Sequence, residues 1–566
     1  MLTVERARYR VVVDEERPLA TVEDARGRPV LELALAADLD TLSALDVTTA
    51  VRIRSVIGDT VVVETSGGPW RRKTIRLECA RDELVVRTEI EGDGALTTVR
   101  LLGGRSTAWR RLGAGRVRSR SRGAGLFSPS PSLPERVVQS ASASAVIEAS
   151  GASSPARGHW FFTPPPFLFA FADATPQDTL PAGPWASLAL ATEPGAHTFT
   201  SLEYDALEDG FSLALEYEGE TRVRGAFTAP AVVVRLDAAD PYDAIATHTA
   251  WLRERSLVPT QIAEPADWWA RPIFCGWGAQ CASADPPETA PAESRASRYD
   301  EWLDLLERKG LVPGTIVIDD KWQRAYGTCE ADETKWPDLA RWIARRHERG
   351  QRVLLWWKAW DAEGLDPEQC IRTADGTVIA ADPTNAAYEA TLRASVRRLV
   401  GRDGYDADGL KIDFTGQTPS GPRLRRRGRL WGIELLHRLL EIVYDEVKRT
   451  KPDALVVTHT ANPYFADVTD MVRLNDVMRL YDHRAGAPLV EHMVHRARVA
   501  RAALPEHLIE TDNWALPDRA TWRAYVSRQR ELGVPSLYYA THIDRSGEAL
   551  DETDYALVRR AWGAAT

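Results

Sequence analysis

Eight short apolar runs, separated by helical segments, occupy the second half of the 566-residue chain. Helical segments such as SRYDEWLDLLERKG and LWGIELLHRLLEIVYDEVKR lie between most of them, and only the fifth-to-sixth connection is too short for a full helix. Apolar runs that alternate with helices predict a parallel sheet covered on both faces. Because eight runs fit between residues 271 and 566, a closed (β/α)8 TIM barrel is favoured over a doubly wound open sheet. The runs are PIFCGWG, TIVIDD, RVLLWW, GLKIDF, ALVVTH, MVRLND, HLIETD and VPSLYY.

In the first part of the chain the hydrophobic pattern has a period of two residues. Up to about residue 240, apolar residues such as Leu213, Leu215 and Tyr217 alternate with small or polar ones, and glycines and prolines end the short runs. This pattern predicts an N-terminal antiparallel β-sandwich. A helical pattern then leads into the eight runs. The predicted domains are a β-sandwich over 1–240, a helical linker over 241–270 and a catalytic barrel over 271–566.

Charge and composition exclude several kinds of partner. The net charge is −10 and the pI is about 5.7, which argues against a nucleic-acid partner because phosphate binding needs a basic surface. No stretch approaches the roughly 20 apolar residues of a membrane span, and the N-terminus is charged where a signal peptide is apolar. The five cysteines show no CxxC spacing. We expect a cytoplasmic protein with free thiols, and the sequence does not indicate its oligomeric state.

Ionisable and aromatic residues gather where the predicted barrel strands end. Catalytic groups of such barrels lie at the C-terminal ends of the strands. Four different strands supply Asp there, so the cluster of negative charge needs a metal, a cation or hydroxyl donors to neutralise it. The residues at these ends are Trp277, Asp319, Asp320, Trp356, Trp357, Lys358, Lys411, Asp413, His459, Arg473, Asp476 and Asp512.

Two enzyme chemistries use such a ring of carboxylates. A glycosidase needs one carboxylate and one carboxylic acid, whereas a metallohydrolase needs several ligands. The ring has five Asp and only one His, and Lys411 lies two residues before Asp413 on the same face of its strand, where an ammonium competes with a metal. Fifteen of the 19 Trp residues lie from Trp251 onward, and flat apolar rings suit the C–H faces of sugars. These observations favour a carbohydrate substrate without a metal or another cofactor.

The order of four motifs resembles a known family. IDDKWQ, LLWW, GLKIDF and MVRLND follow one another as in the α-galactosidase group of retaining glycoside hydrolases, family 36, which includes raffinose synthases. Members of this group place a sandwich ahead of a catalytic barrel. The resemblance implies a retaining hydrolase that cleaves terminal α-linked sugars, with α-galactosides as the expected substrates.

The same resemblance assigns roles to residues of this chain. Asp413 is the implied nucleophile and Asp476 the implied acid/base, with Arg473 beside it. The implied substrate contacts are Trp277, Asp319, Asp320, Trp356 or Trp357, Lys411 and Arg473.

Two departures from the family pattern stand out. The family spaces its acid/base one residue farther from the Arg, where this chain has Val477, and Asp482 of MRLYDHR is the rival candidate. Because the sequence stops at Thr566, the C-terminal β domain common in the group is expected to be absent.

Alternative functions remain open at the level of sequence. A metal-dependent barrel hydrolase would lose activity on chelation with EDTA. A catalytically inactive relative would bind sugars without turnover. Transglycosylation uses the same covalent intermediate as hydrolysis, with another sugar in place of water, and the sequence does not specify the sugar or the linkage.

Overall fold

The N-terminal half of the chain is built from antiparallel β-sheets. The computed structural model describes residues 1–16, 18–105, 116–117, 123–129, 135–138, 144–148, 164–174, 183–207, 210–260, 263–476 and 488–563. Within these residues the smaller sheet consists of Leu2–Glu5, Tyr9–Asp14, Leu19–Asp24, Pro29–Ala34 and Arg116–Val117. The larger sheet consists of Asp38–Thr41, Thr48–Ile57, Thr60–Gly67, Arg72–Cys79, Leu84–Leu102, Gly123–Phe127, Glu135–Val138, Ser144–Glu148, Leu168–Ala174, Trp185–Ala191, Ser201–Leu207, Gly210–Glu216, Arg222–Thr228 and Ala231–Ala238.

One long strand, Leu84–Leu102, joins the two parts of the larger sheet. Its first half pairs with Arg72–Cys79 and Ala231–Ala238, and its second half pairs with Gly210–Glu216 and Asp38–Thr41. Apolar side chains from both sheets belong to one continuous buried core. These packed antiparallel sheets confirm the predicted N-terminal sandwich.

Eight parallel strands form the second half of the molecule. They are hydrogen-bonded in sequential order, strand 1 also pairs with strand 8, and a parallel bridge from Glu510 to Val534 joins strand 7 to the segment of strand 8. The predicted (β/α)8 barrel is therefore confirmed, and the open-sheet alternative is wrong. Barrel strands 1 to 8 are Ile273–Cys275, Thr315–Ile318, Arg352–Lys358, Gly409–Asp413, Leu455–Thr458, Met471–Arg473, Leu508–Glu510 and Ser536–Leu537.

Helices cover the outside of the barrel. Several begin after an Asp or Asn whose side chain accepts hydrogen bonds from backbone N–H groups of the first turn. Strands 5 and 6 are joined by only a 3-10 helix, Pro463–Phe465, in agreement with the short connection seen in the sequence. No helix in the described part of the chain is long and apolar enough to cross a membrane. The α-helices after strand 1 are Trp277–Ser283, Ala296–Arg308, Leu339–Glu348, Ala386–Val400, Ile433–Thr450, Leu489–Ala503, Arg519–Val526, Gln529–Leu532 and Glu552–Ala561.

A helix over Pro241–Glu254 lies between the sandwich and the barrel. Its His248 Nε2 lies 2.8 Å from a backbone carbonyl of the sandwich, at Leu190. On the barrel side, the Tyr242 hydroxyl lies 2.9 Å from Nδ1 of His495. The helix therefore contacts both parts of the molecule. The predicted domain boundaries at 240 and 270 stay a prediction.

Candidate active site

The alternation of barrel strand 3 decides which of its two tryptophans faces the barrel interior. Trp356 pairs in register with Lys411, and Lys358 pairs with Asp413, so these side chains share the inner face. Trp356 Nε1 donates a hydrogen bond of 3.2 Å to Oδ2 of Asp413. Trp357 points to the opposite face of the strand and is buried in the outer layer. Of the two predicted pocket residues, the structure brings only Trp356 to the Asp cluster.

Asp413 ends barrel strand 4 and is surrounded by groups that favour its ionised form. The backbone N–H of Phe414 donates to Oδ1 at 2.8 Å, and Arg473 Nη1 lies 3.6 Å from Oδ2. Burial alone would raise the pKa of Asp413, but Arg473, His459 and Lys411 outweigh it and hold the pKa well below its usual range. Its side chain is still 22% exposed. Asp413 is thus an ionised carboxylate that a ligand can reach.

His459, at the end of barrel strand 5, is a neutral hydrogen-bond donor to Asp413. Burial lowers the pKa of His459 to about 4, so the ring carries no charge near neutral pH. Its Nδ1 lies 3.2 Å from Oγ1 of Thr415 and its Nε2 lies 3.4 Å from Oδ1 of Asp413. The Thr415 hydroxyl can donate to Nδ1, which leaves the Nε2–H for the carboxylate.

Lys411 forms a buried ion pair with Asp319 beneath Asp413. Lys411 Nζ donates to Oδ2 of Asp319 at 2.6 Å, and the two side chains are 4% and 3% exposed. Cys275 Sγ lies 3.0 Å from the same oxygen and 3.3 Å from Nζ. Burial and Arg473 would lower the pKa of Lys411, but Asp319 raises it above its ordinary value.

The sugar contacts that the resemblance implies for Lys411 and Asp319 stay a prediction. Within the described residues both side chains are almost fully buried and are bonded to protein groups. Asp319 also accepts a 2.8 Å hydrogen bond from the backbone N–H of Asp320, which is the capping role that a strand-end Asp often has. The pair forms part of the floor of the site.

Asp320 is the more accessible member of the Asp319–Asp320 sequence. Within the described residues its side chain accepts one hydrogen bond, of 2.8 Å, from the Tyr326 hydroxyl. Burial raises the pKa of Asp320 to about 6, and the Tyr326 hydroxyl opposes that shift. The Tyr326 ring in turn lies 4.2 Å from the ammonium of Lys358. Asp320 is therefore placed to accept hydrogen bonds from a ligand once it is ionised.

Arg473 bridges three carboxyl groups at the centre of the barrel mouth. Its Nη2 lies 2.6 Å from Oδ1 of Asp476 and 2.6 Å from Oδ2 of Asp512, and its Nη1 faces Asp413. The Arg473 side chain is fully buried, so these interactions are weakly screened. Arg473 is therefore one of the cations expected among the clustered Asp side chains at the strand ends. The rival acid/base Asp482 lies outside the described residues.

Three residues beside the candidate site adopt the left-handed backbone conformation. Lys321 follows Asp320 with φ 68°, and Phe414 follows Asp413 with φ 61°. Asn475, directly before Asp476, has φ 66°. Residues other than glycine rarely adopt this left-handed conformation, and such strain clusters at functional sites. It bends the chain sharply where each strand leaves the barrel.

Two tryptophans stand at the rim of the barrel mouth. Trp277 begins the helix after strand 1, is half-buried, and meets Trp514 edge to face with ring centroids 5.5 Å apart. The backbone N–H of Trp514 donates to Oδ1 of Asp512 at 2.9 Å. Their faces provide the apolar surface expected of a sugar site.

Several residues of this site were not identified from the sequence. Trp514 could have been found, since it follows the strand-end Asp512 by two residues in HLIETDNW. The others depend on contacts between distant parts of the chain, which leave no local signal. Glu510, for example, lies below the ring, where burial and Asp512 raise its pKa. The residues missed are Cys275, Tyr326, Glu510, Trp514 and Tyr538.

The described residues contain no group of three or more His, Cys, Asp or Glu side chains that could hold a metal ion. The inward-facing carboxylates are instead bonded to Lys411, Arg473, Trp356 and Tyr326. The site is therefore a cluster of charged side chains that are hydrogen-bonded to one another.

Comparison with known proteins supports the fold. A scan against family models found no match, and a sequence search of curated proteins found none either.

Solved structures with a similar fold are glycoside hydrolases. Their sequence identities to this chain are low, so the similarity establishes the shared fold alone. They include a GH31 sulfoquinovosidase from E. rectale (11% identity, TM-score 0.60, 99% of this chain and 82% of that chain). An alpha-N-acetylgalactosaminidase from Bifidobacterium bifidum in complex with GalNAc has 13% identity and TM-score 0.65, over 100% of this chain and 93% of that chain. An alpha-galactosidase from Thermus thermophilus in complex with stachyose has 15% identity and TM-score 0.52, over 86% and 97%.

Proposed function

We propose that the chain is a retaining glycoside hydrolase that cleaves terminal α-linked sugars, in particular α-galactosides. The observation that carries the proposal is Asp413, an ionised and accessible carboxylate at the end of barrel strand 4 with donors fixed around it. Enzymes named α-galactosidase and α-N-acetylgalactosaminidase share the fold. A comparison of hydrolysis rates on aryl α-galactoside, α-glucoside and α-N-acetylgalactosaminide tests the substrate assignment.

The proposed reaction is a double displacement. Asp413 attacks the anomeric carbon from the side opposite the leaving oxygen, and the carbon–oxygen bond breaks as Asp476 donates its proton to that oxygen. Water then attacks the same carbon, Asp476 takes a proton from the water, and the bond to Asp413 breaks. The α configuration of the sugar is retained.

Arg473 couples the two carboxylates during this reaction. When Asp413 becomes an ester it loses its negative charge, while Asp476 gains one by giving up its proton. The Arg473 guanidinium faces both carboxylates, so the total charge around it stays constant through the step. Because the Arg473 guanidinium is already in place for both charge distributions, it need not move during the step, and this lowers the activation barrier.

The substrate sugar is held at the mouth of the barrel. Asp320 accepts hydrogen bonds from its hydroxyls, and the half-buried rim residues Trp277 and Trp514 supply apolar surface. The buried Trp356 positions Asp413 through its indole N–H. Lys411 and Asp319 keep the floor of the site rigid from below. This division follows from their exposure, since Lys411 and Asp319 are almost fully buried.

The first prediction concerns the pH profile. Asp320 accepts stronger hydrogen bonds from a sugar when it is ionised, so kcat/KM should fall as the pH drops through about 6, the pKa of Asp320. Because the Tyr326 hydroxyl lowers that pKa, Tyr326→Phe should move the acid limb to higher pH. Tyr444→Phe removes a similar hydroxyl–carboxylate bond, to Asp470 away from the site, and should leave the limb in place. An unshifted acid limb in Tyr326→Phe would show that Asp320 does not set it.

The second prediction separates Asp476 from Asp482 as the acid/base. Asp476→Ala should keep activity on aryl glycosides with good leaving groups, since these need no proton. Azide should then accelerate turnover and give an α-glycosyl azide, because it attacks the β-linked glycosyl-enzyme in place of water. Asp482→Ala is the matched control and should behave like the unmodified protein. If only Asp482→Ala responds to azide, the acid/base is Asp482.

A further inference from the structure

The loop after barrel strand 4 carries an unusual run of arginines. Residues 421–431, GPRLRRRGRLW, contain five Arg and are called the arginine loop here. The loop connects the strand that ends in Asp413 to the helix Ile433–Thr450. It therefore leaves the barrel at the end where the proposed active site lies.

The arginine loop alternates between exposed and inward-facing residues. Arg423, Arg425, Arg427 and Arg429 are exposed, whereas Leu424, Arg426 and Gly428 are partly buried. The four exposed arginines lie within seven residues of one another and are called the arginine row below.

The inward-facing residues fix the loop to the rest of the molecule. Leu424 packs against the hydrophobic core, and Arg426 forms an ion pair with Glu220 of the sandwich. The backbone N–H of Gly428 donates to Oγ1 of Thr384 at 2.7 Å, and an added Cβ at Gly428 would meet Thr384 at 2.6 Å. The row is therefore displayed on an anchored segment.

A second loop lies beside the row. The backbones of Arg425 and Arg372 exchange hydrogen bonds of 2.7 and 3.0 Å. Arg372 belongs to the hairpin Cys370–Arg372 and Val378–Ala381, which follows barrel strand 3. Two neighbouring loops at the catalytic end of the barrel thus present positive charge together.

Within the described part of the chain, most of this charge has no partner. No carboxylate there lies within ion-pair distance of Arg423, Arg425 or Arg429, while Arg427 and Arg372 share the exposed Glu368 at 3.0 and 2.8 Å. Like charges on one loop repel one another, and the inward-facing residues anchor the loop without them. A row of uncompensated arginines on a chain of net charge −10 is suited to an anionic ligand.

We propose that the arginine loop binds a glycan that carries carboxylate or sulfate groups, on the leaving-group side of the scissile bond. This inference rests on the proposed function. The terminal sugar occupies the barrel mouth, so the remainder of a longer substrate extends over the loops around it. Arginine binds carboxylate and sulfate through paired N–H donors, and the row offers several such groups on one loop.

A binding assay on the full chain tests this proposal. The probes are fluorescently labelled dextran sulfate, neutral dextran of equal length, and a single-stranded oligonucleotide of equal charge. Arg423→Gln/Arg429→Gln should weaken binding of dextran sulfate by about 10-fold or more, since two arginines that can donate charge-assisted hydrogen bonds are lost. The matched control is Arg341→Gln/Arg345→Gln, which removes two exposed charges from the helix Leu339–Glu348 and should change nothing.

Three results would overturn the proposal. Equal affinity of the loop variant and the control variant for dextran sulfate would exclude the loop as the binding surface. Equal binding of neutral dextran would show that charge is not recognised, and equally tight, loop-dependent binding of the oligonucleotide would assign the surface to nucleic acid. Binding can be measured without turnover, so the two proposals can fail separately. If the chain hydrolyses no α-glycoside but still binds dextran sulfate through the arginine loop, the proposed function is wrong and the arginine loop is supported as an anion-binding surface.

Discussion

Replacing Asp413 by alanine is expected to lower kcat/KM on an aryl α-glycoside by about 10⁴- to 10⁶-fold, the range found when a catalytic nucleophile is removed. Without the carboxylate no covalent intermediate forms. Trp356, His459 and Nη1 of Arg473 then lack the carboxylate that they face. The measurement is steady-state kinetics on the substrate that the unmodified protein cleaves fastest.

The control for this loss is a carboxylate at the opposite end of the barrel. Asp453 is exposed, lies two residues before the start of barrel strand 5, and can be replaced by alanine without touching the site. Asp453→Ala should retain full activity. Activity of Asp413→Ala within about 10-fold of the unmodified protein would remove Asp413 from the mechanism and with it the proposed double displacement.

Replacing Lys411 by methionine should cause a large loss of stability. The change leaves Asp319 as a buried carboxylate without its cation, and breaking a buried pair in this way costs about 3–5 kcal/mol. The midpoint of urea unfolding should fall accordingly. Activity should fall as well, because the positive charge of Lys411 helps to hold the pKa of Asp413 low.

A second substitution distinguishes the lost pair from lost packing. Lys411→Met/Asp319→Asn removes both charges and should recover much of the stability that the single variant loses. Lys309→Met is the matched control, because its ion pair with Glu552 lies on the surface and should contribute about 1 kcal/mol or less. A double variant no more stable than Lys411→Met alone would contradict the account of a buried ion pair.

The barrel could be predicted from the sequence because each strand is marked by a short apolar run that can be recognised without knowing any distant contact. Seven of the eight runs contain the corresponding strand, strand 3 extends one residue beyond its run to Lys358, and the strand ends fix which residues reach the mouth. The orientation of Trp356 and Trp357 follows from strand alternation once the pairing of barrel strands 3 and 4 is known. Lys411 and Asp413 face inward on strand 4, so their partners on strand 3, Trp356 and Lys358, face inward as well.

The contacts within the site could not be predicted in the same way. Lys411 was expected to help Asp413, two residues away, but its hydrogen bond is to Asp319 on a different strand. Sequence spacing shows which side chains share a face and does not show which of them pair across the barrel. Tyr326 illustrates the same limit, because it reaches Asp320 through the shape of a loop.

The central claim is that Asp413 forms a covalent bond to the sugar, and trapping that intermediate tests it most directly. A fluorinated α-galactosyl fluoride that slows the second step is incubated with the protein, which is then digested and analysed by mass spectrometry. We expect one added sugar per chain, on the peptide that contains Asp413. No adduct with a substrate that the protein hydrolyses, or an adduct on another carboxylate, would contradict the account.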